Sequence, residues 1–187
     1  GVDPRRVHFV GNVMIDTLIR LLPQEKSLPS GVQPPYALVT LHRPSNVDDL
    51  DWLRGLLSTL SDLSAQLRII FPVHPRTRQR LERLGDMPTR ASSSELCLLD
   101  PQPYLEFLAL QRHATLVITD SGGIQEETTF LGVPCLTVRE NTERPITVEL
   151  GTNVVVGTDT TRIVNAANTA LNGSAKKPVG SIPLWDG

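Results

Sequence analysis

Leu116-Val117-Ile118-Thr119-Asp120-Ser121-Gly122-Gly123-Ile124-Gln125-Glu126-Glu127 passes from a short apolar run, through two glycines, into a segment with helical character. The first four residues read as a buried strand, and Ile124–Leu131 reads as the helix that follows it. Glycines at such a junction let a ligand approach the backbone without meeting a Cβ. The unpaired N–H groups and positive dipole end of the new helix favour a phosphate there. Ser121 adds a hydroxyl, and Glu127 stands about one turn further on, where a carboxylate accepts hydrogen bonds from ribose hydroxyls. The same spacing also fits an ordinary Asp/Ser cap with turn glycines. Neither a Walker pattern nor GxGxxG is present, so ATPase and NAD readings have no support.

The strand-to-helix step recurs on both sides. Tyr36–Leu41 reads as a strand, followed by a helix over Asp49–Ala65 whose Leu50, Leu53, Leu56, Leu57, Leu60 and Leu63 fall at helical spacing. Further strands are expected at Arg68–Val73, Glu95–Leu99, Pro134–Val138 and Asn153–Val156, and further helices at Arg76–Leu84, Tyr104–His113 and Thr160–Leu171. Alternation with short connections implies an α/β class: a parallel sheet with helices on both faces. All strand-to-helix loops then gather at the carboxyl edge of the sheet. The first 35 residues differ. Val7-His8-Phe9-Val10 is expected to form a short strand and Val13–Leu22 a helix, and Pro23–Pro35 carries four prolines and reads as a linker.

Four other loops at that edge carry chemistry. Thr40-Leu41-His42-Arg43 places a histidine, which titrates near neutrality, where it can bond to a phosphate oxygen. Glu140-Asn141-Thr142-Glu143-Arg144-Pro145 offers the forked donors of Arg144 to a diphosphate, with Pro145 able to open a helix. Asp100-Pro101-Gln102-Pro103-Tyr104-Leu105-Glu106-Phe107 brings Phe107, a ring able to stack on a base. Phe71-Pro72-Val73-His74-Pro75-Arg76 ends a strand with His74. Taken singly, a capping histidine, a surface ion pair or a core phenylalanine explains each as well. Falling together, they describe a nucleotide-sugar site built without a metal cluster or cofactor. His8 and His113 have no evident partner in the sequence.

Composition bounds the rest. The 187 residues suit one domain, and 18 Lys+Arg against 20 Asp+Glu argue against a nucleic-acid partner. No apolar stretch approaches the roughly 18 residues that cross a bilayer, and no secretory signal is visible. Cys97 and Cys135 lie in short apolar runs and read as small buried hydrophobes, in keeping with a reduced, cytoplasmic setting. The chain opens on Gly1 without a Met, within what reads as an ongoing fold, and is expected to be a piece of a longer protein.

GNVMIDTL, VTLHRPSN, FPVHP, DPQPYLEF, TDSGGIQEE and NTERP, in this order, resemble the signature segments of the bacterial non-hydrolysing UDP-N-acetylglucosamine 2-epimerases. The resemblance covers almost the whole chain. It implies the C-terminal half of a two-domain fold of the glycosyltransferase-B type, with the active site between two Rossmann-like domains. Residues 1–35 would be the interdomain connection and 36–187 the UDP-binding domain. At Trp185-Asp186-Gly187 the family pattern continues into a last helix returning to the N-terminal domain. By motif, Gln102 and Phe107 are similar to uracil contacts, Ser121, Gly122 and Gly123 to the diphosphate cradle, Glu127 to the ribose ligand and Arg144 to a phosphate contact. His42 is similar to the histidine needed for turnover. Arg43 and His74 resemble residues that hold a second, regulatory UDP-N-acetylglucosamine in some members. Many members read HRREN where this chain has His42-Arg43-Pro44-Ser45-Asn46, so an acidic position is replaced and a proline restrains the loop. The implied reaction eliminates UDP from UDP-N-acetylglucosamine and re-adds it through 2-acetamidoglucal to give the N-acetylmannosamine epimer. Its acid/base carboxylates belong to the absent N-terminal domain, so this chain is expected to bind UDP without turnover, and a homodimer is expected of the full-length protein. A hydrolysing epimerase, a UDP-sugar glycosyltransferase and a non-catalytic UDP-sugar-binding module are the alternatives.

Overall fold

The computed structural model describes residues 1–85, 96–175 and 182–186. Six strands form one all-parallel sheet: β1 (Tyr36–Thr40), β2 (Arg68–Pro72), β3 (Leu96–Leu99), β4 (Leu116–Thr119), β5 (Cys135–Thr137) and β6 (Asn153–Val155), in the order β3-β2-β1-β4-β5-β6. The helices are α1 (Val13–Leu21), α2 (Pro44–Val47), α3 (Leu50–Leu63), α4 (Pro75–Leu84), α5 (Tyr104–Arg112), α6 (Gly122–Leu131), α7 (Pro145–Glu149) and α8 (Thr160–Thr169). This strand order is that of a doubly wound, Rossmann-type α/β domain, and it reverses direction between β1 and β4.

The strands are apolar throughout because both faces are covered. Ala37, Val39, Ile69, Phe71, Leu116 and Ile118 point to one face, where α3 and α8 supply Leu53, Leu56, Leu60 and Ile163. Tyr36, Leu38, Ile70 and Val117 point to the other, against Leu110, Phe107, Ile124 and Leu131 of α5 and α6. The period of two along each strand thus divides the core into two layers. Asp49 caps α3 by accepting from the amides of Asp51 and Trp52, which places the helix start one residue inside the predicted span. The helix after β4 begins at Gly122, two residues earlier than the sequence pattern suggested, so both glycines belong to its first turn.

The expected strand Val7–Val10 is absent. The segment forms no regular element, pairs with no strand of the sheet and exposes Val7, Phe9 and Val10. An apolar β-prone run needs a neighbouring strand to satisfy its backbone, and among the described residues none of the six strands pairs with it. By contrast, α1 is well docked: Ile15 and Leu18 are fully buried against Leu108, Phe130 and Trp185. The predicted linker is partly integrated as well, with Val32 buried in the second core layer. Glu95, the expected first residue of β3, lies outside the described residues. Among the described residues no helix is long and apolar enough to cross a membrane. Cys135 is buried, and burial pushes its thiol up to about 12; Cys97 is only half-buried, against expectation, because it lies on β3 at the edge of the sheet.

Candidate functional site

The order reversal between β1 and β4 sends their following helices to opposite faces, which opens a crevice at the carboxyl edge between them. The register Thr40↔Thr119 brings the ends of these strands level, so Leu41–Arg43 and Asp120–Gly123 emerge side by side. Ser121 is the N-cap of α6 and makes no side-chain capping bond; its own amide donates to Thr119 Oγ1 at 3.0 Å. A Cβ built on Gly122 would lie 3.9 Å from Arg144 Cγ, and one on Gly123 would lie 3.8 Å from Met14 Cε. The helix terminus is therefore flanked by Arg144 and Met14, with the glycines leaving its first turn uncovered.

Arg144 reaches this position through two devices. Its backbone amide donates to Thr142 Oγ1 at 2.9 Å, and Thr142 in turn donates to buried Gln125 Oε1, which also receives Asn153 Nδ2 at 3.1 Å. The loop before α7 is thereby tied to α6 and to the start of β6. Second, Arg144 Nε lies 3.0 Å from Glu126 Oε1, and the same oxygen receives Asn12 Nδ2 at 2.9 Å. Glu126 is buried, so one carboxylate on α6 holds both the candidate phosphate ligand and the cap of α1.

On the opposite wall stands His42. Its Nδ1 lies 3.0 Å from Asp120 Oδ1, and the amides of His42 and Arg43 donate to Asp120 Oδ2 at 3.1 and 2.9 Å. Asn46 Nδ2 donates to the same carboxylate at 3.1 Å and to Val138 O at 2.9 Å. Asp120 is fully buried, which alone would raise its pKa, but the hydrogen bonds from the His42 ring and the two amides outweigh this and hold it below the usual carboxylate value. The hydrogen bond to Asp120 raises the His42 pKa above its ordinary value against the opposing effects of partial burial and Arg43.

The uracil and ribose candidates gather on the α5–α6 side. Glu127 is buried, and its Oε1 accepts from Tyr104 Oη at 2.9 Å. Burial raises the Glu127 pKa, and the Tyr104 bond offsets part of that rise. Gln102 turns its side chain back onto Asp100 O at 2.7 Å, which leaves its backbone for a ligand. Phe107 is half-buried in the second core layer, so the ring has a structural part as well. His74 and Arg43 sit beside His42. The two imidazole centroids are 5.9 Å apart, and Arg43 Nη1 lies 3.5 Å from Glu143 Oε1. His74 caps α4, its Nδ1 accepting from the Arg76 amide at 3.2 Å. Pro44 opens the one-turn α2, and the same turn presents Asn46 to Asp120. His113, without an evident partner in the sequence, lies 3.9 Å from Glu25 Oε1.

Sequence reasoning did not single out Tyr104, Asn12, Met14, Asn46, Asn153 or a role for Glu126. All but Asn153 lay inside quoted motifs, but their partners come from elements far away in the chain, which no motif reveals. Among the described residues no group of three His, Cys, Asp or Glu side chains is placed to hold a metal ion.

A Rossmann-type domain with an open helix terminus, a cation on one side and a carboxylate-held histidine on the other belongs to the class of α/β anion- and nucleotide-binding domains. The family profile of UDP-N-acetylglucosamine 2-epimerase matches residues 1–187, and the chain belongs to that family. It is 36% identical over 181 residues to the UDP-N-acetylglucosamine 2-epimerase of Methanococcus maripaludis, covering 91% of this chain and 50% of the relative. It is 39% identical over 165 residues to the UDP-2,3-diacetamido-2,3-dideoxy-D-glucuronate 2-epimerase of Pseudomonas aeruginosa, covering 87% and 45%. The crystal structure of the Methanocaldococcus jannaschii UDP-GlcNAc 2-epimerase in complex with UDP-GlcNAc and UDP superposes with a TM-score of 0.83 at 36% identity, over 97% of this chain and 53% of that one. The chain thus spans about half the length of the relatives it matches.

Proposed function

We propose that this chain is the UDP-binding half of a UDP-N-acetylglucosamine 2-epimerase and binds UDP without turning over substrate alone. The observation that carries the reading is the uncovered first turn of α6 between Arg144 and His42. Ser121 would take the diphosphate on its hydroxyl and Gly122 and Gly123 on their first-turn amides, with Arg144 and His42 supplying positive charge from either side. Glu127 would accept from the ribose hydroxyls once Tyr104 yields its place, while Gln102 and Phe107 would meet the uracil.

The reaction needs loss of the C2 proton to a base and cleavage of the C1–O bond as UDP leaves, giving 2-acetamidoglucal; UDP then adds back with a proton on the opposite face of C2. Rate depends on a base for a weakly acidic C–H and on stabilising the departing diphosphate. This chain supplies the second. The base and acid belong to an N-terminal domain that residues 1–35 would join to this one, in a two-domain arrangement of the glycosyltransferase-B type. The exposed run Val7, Phe9 and Val10 fits such a junction, since a strand of a second sheet would satisfy its backbone and cover its side chains. Arg43 and His74, beside His42, would form a second nucleotide-sugar site in the full protein, which is expected to be a cytoplasmic homodimer.

The Pseudomonas aeruginosa relative favours a second reading for the sugar alone, since its name specifies a diacetamido glucuronate as substrate. Both readings share the UDP site. Calorimetric titration of UDP into this chain tests it: saturable binding is expected, and a folded chain with no binding overturns the reading. Product analysis on the full-length enzyme with each UDP-sugar distinguishes the substrates, and release of free sugar instead of an epimer would indicate a hydrolase.

A further inference from the structure

We propose that Asp120 is a positioning residue for His42, engaging the ring at Nδ1 so that Nε2 is left to the diphosphate of the bound nucleotide. This rests on the UDP-binding reading for its ligand, but its geometry stands on the fold. Parallel pairing of β1 and β4 through Thr40↔Thr119 sets Asp120 level with the turn after β1. The carboxylate is fully buried and collects donors from that turn alone and from Asn46: the His42 and Arg43 amides, the His42 ring and the Asn46 amide group. Asn46 also binds Val138 O, so the hub is fixed to the end of β5.

Two consequences follow. The amides of His42 and Arg43 are engaged by Asp120, so this loop offers a ligand its side chains rather than its backbone. An imidazole whose Nδ1 faces a carboxylate carries its proton there, and Nε2 becomes the working nitrogen. Among the described residues no hydrogen bond engages Nε2, and the His42 side chain is 42% exposed. His74 shows the opposite tautomer, since its Nδ1 accepts an amide proton. The charges that face His42 are Asp120 on the β4 loop and Arg43 beside it, with His74 across a 5.9 Å ring separation; Arg43 is itself faced by Glu143, which pairs with Arg139 at 2.7 Å. Asp120 is the only anion among these within hydrogen-bond distance of the ring. The raised His42 pKa agrees with this arrangement.

Nitrogen-15 NMR of the histidine side chains in the whole chain, followed from pH 5 to 9, tests the proposal. The wild type is expected to show His42 as the Nδ1–H form when neutral, titrating above the ordinary histidine value of 6.5. In Asp120→Asn the titration moves toward the ordinary value, and UDP binding at pH 7.5 weakens about tenfold while converging with wild type near pH 5.5, where His42 is protonated in both. Titration of the UDP phosphate is common to both proteins and cancels in the comparison. A neutral His42 protonated on Nε2 in the wild type overturns the proposal without any variant. So does an Asp120→Asn affinity loss that is equal at both pH values, which is the signature of a purely structural role. If the wild type binds no UDP, the nucleotide reading fails, and the tautomer and titration of His42 still decide the part played by Asp120.

Discussion

Replacing Arg144 by alanine separates a ligand contact from the scaffold that holds it. Arg144 Nε lies 3.0 Å from Glu126 Oε1, and the arginine side chain is 43% exposed against 9% for the glutamate. The inner edge of the guanidinium is thus committed to Glu126, and its outer edge is open to the crevice. One charge-assisted hydrogen bond to a phosphate contributes about 1.5–3 kcal/mol, or roughly 10- to 150-fold in Kd. The same change strips Glu126 of its cation and leaves Asn12 Nδ2, at 2.9 Å, to match a buried carboxylate. That costs about 1–3 kcal/mol of stability, toward the lower end because water already reaches the arginine. Arg144→Ala combined with Glu126→Gln removes the unmatched charge at nearly constant volume. Titration calorimetry with UDP and thermal unfolding read the two effects separately. Arg144→Ala is expected to lose both affinity and stability, and the double variant to regain stability without regaining affinity. Wild-type UDP affinity in the double variant would refute the reasoning, because the loss would then have come through Glu126 and not through a phosphate contact.

Three further outcomes are expected. Gly151→Ala sets a Cβ against the Thr129 side chain and the Thr147 carbonyl oxygen; overpacking of this kind costs about 1–3 kcal/mol, measurable in the urea midpoint, and an unchanged midpoint would show that α6 and α7 separate easily. Tyr104→Phe removes the hydrogen bond to Glu127; with Tyr104 partly exposed the loss is about 1 kcal/mol, Glu127 is driven further up in pKa, and an unaltered thermal midpoint would count against that bond. Stability should depend on pH through the His42–Asp120 pair. His42, raised in the folded state, contributes fully below its ordinary value of 6.5, and that contribution is lost as pH rises through the folded value. Asp120, lowered in the folded state, contributes above its ordinary 3.8, and that contribution is lost as pH falls through its folded value. Urea midpoints from pH 3 to 9 should therefore be highest between these limits and flatter in Asp120→Asn; an equal pH dependence in the two proteins would contradict the pairing.

The α/β class was legible because the buried strands carry continuous apolar runs and the helices a 3.6-residue period, both of which are local patterns. The start of α3 was legible to within one residue from its leucine spacing, with Asp49 proving to be its cap, whereas the start of α6 was misread where glycines normally signal a turn, at Gly122 and Gly123. Val7–Val10 shows the limit of local propensity: valine and phenylalanine favour a strand, yet a strand needs a partner, and among the described residues none of the six strands pairs with this segment. The chemistry-bearing loops could be placed at one edge of the sheet from connectivity alone, because parallel strands with right-handed crossovers leave no other edge for them.

By itself, then, the sequence determined the strand and helix alternation, the set of polar loops at one edge and, through its motifs, the family. Tertiary structure decided which of those loops face each other. Asp120 and His42 are 78 residues apart in the chain, and Asn12 and Glu126 are 114 apart. The first meeting depends on strand order and register, the second on the docking of α1 against α6. Order and register are set by how both faces of the whole sheet bury their side chains, which no local window contains.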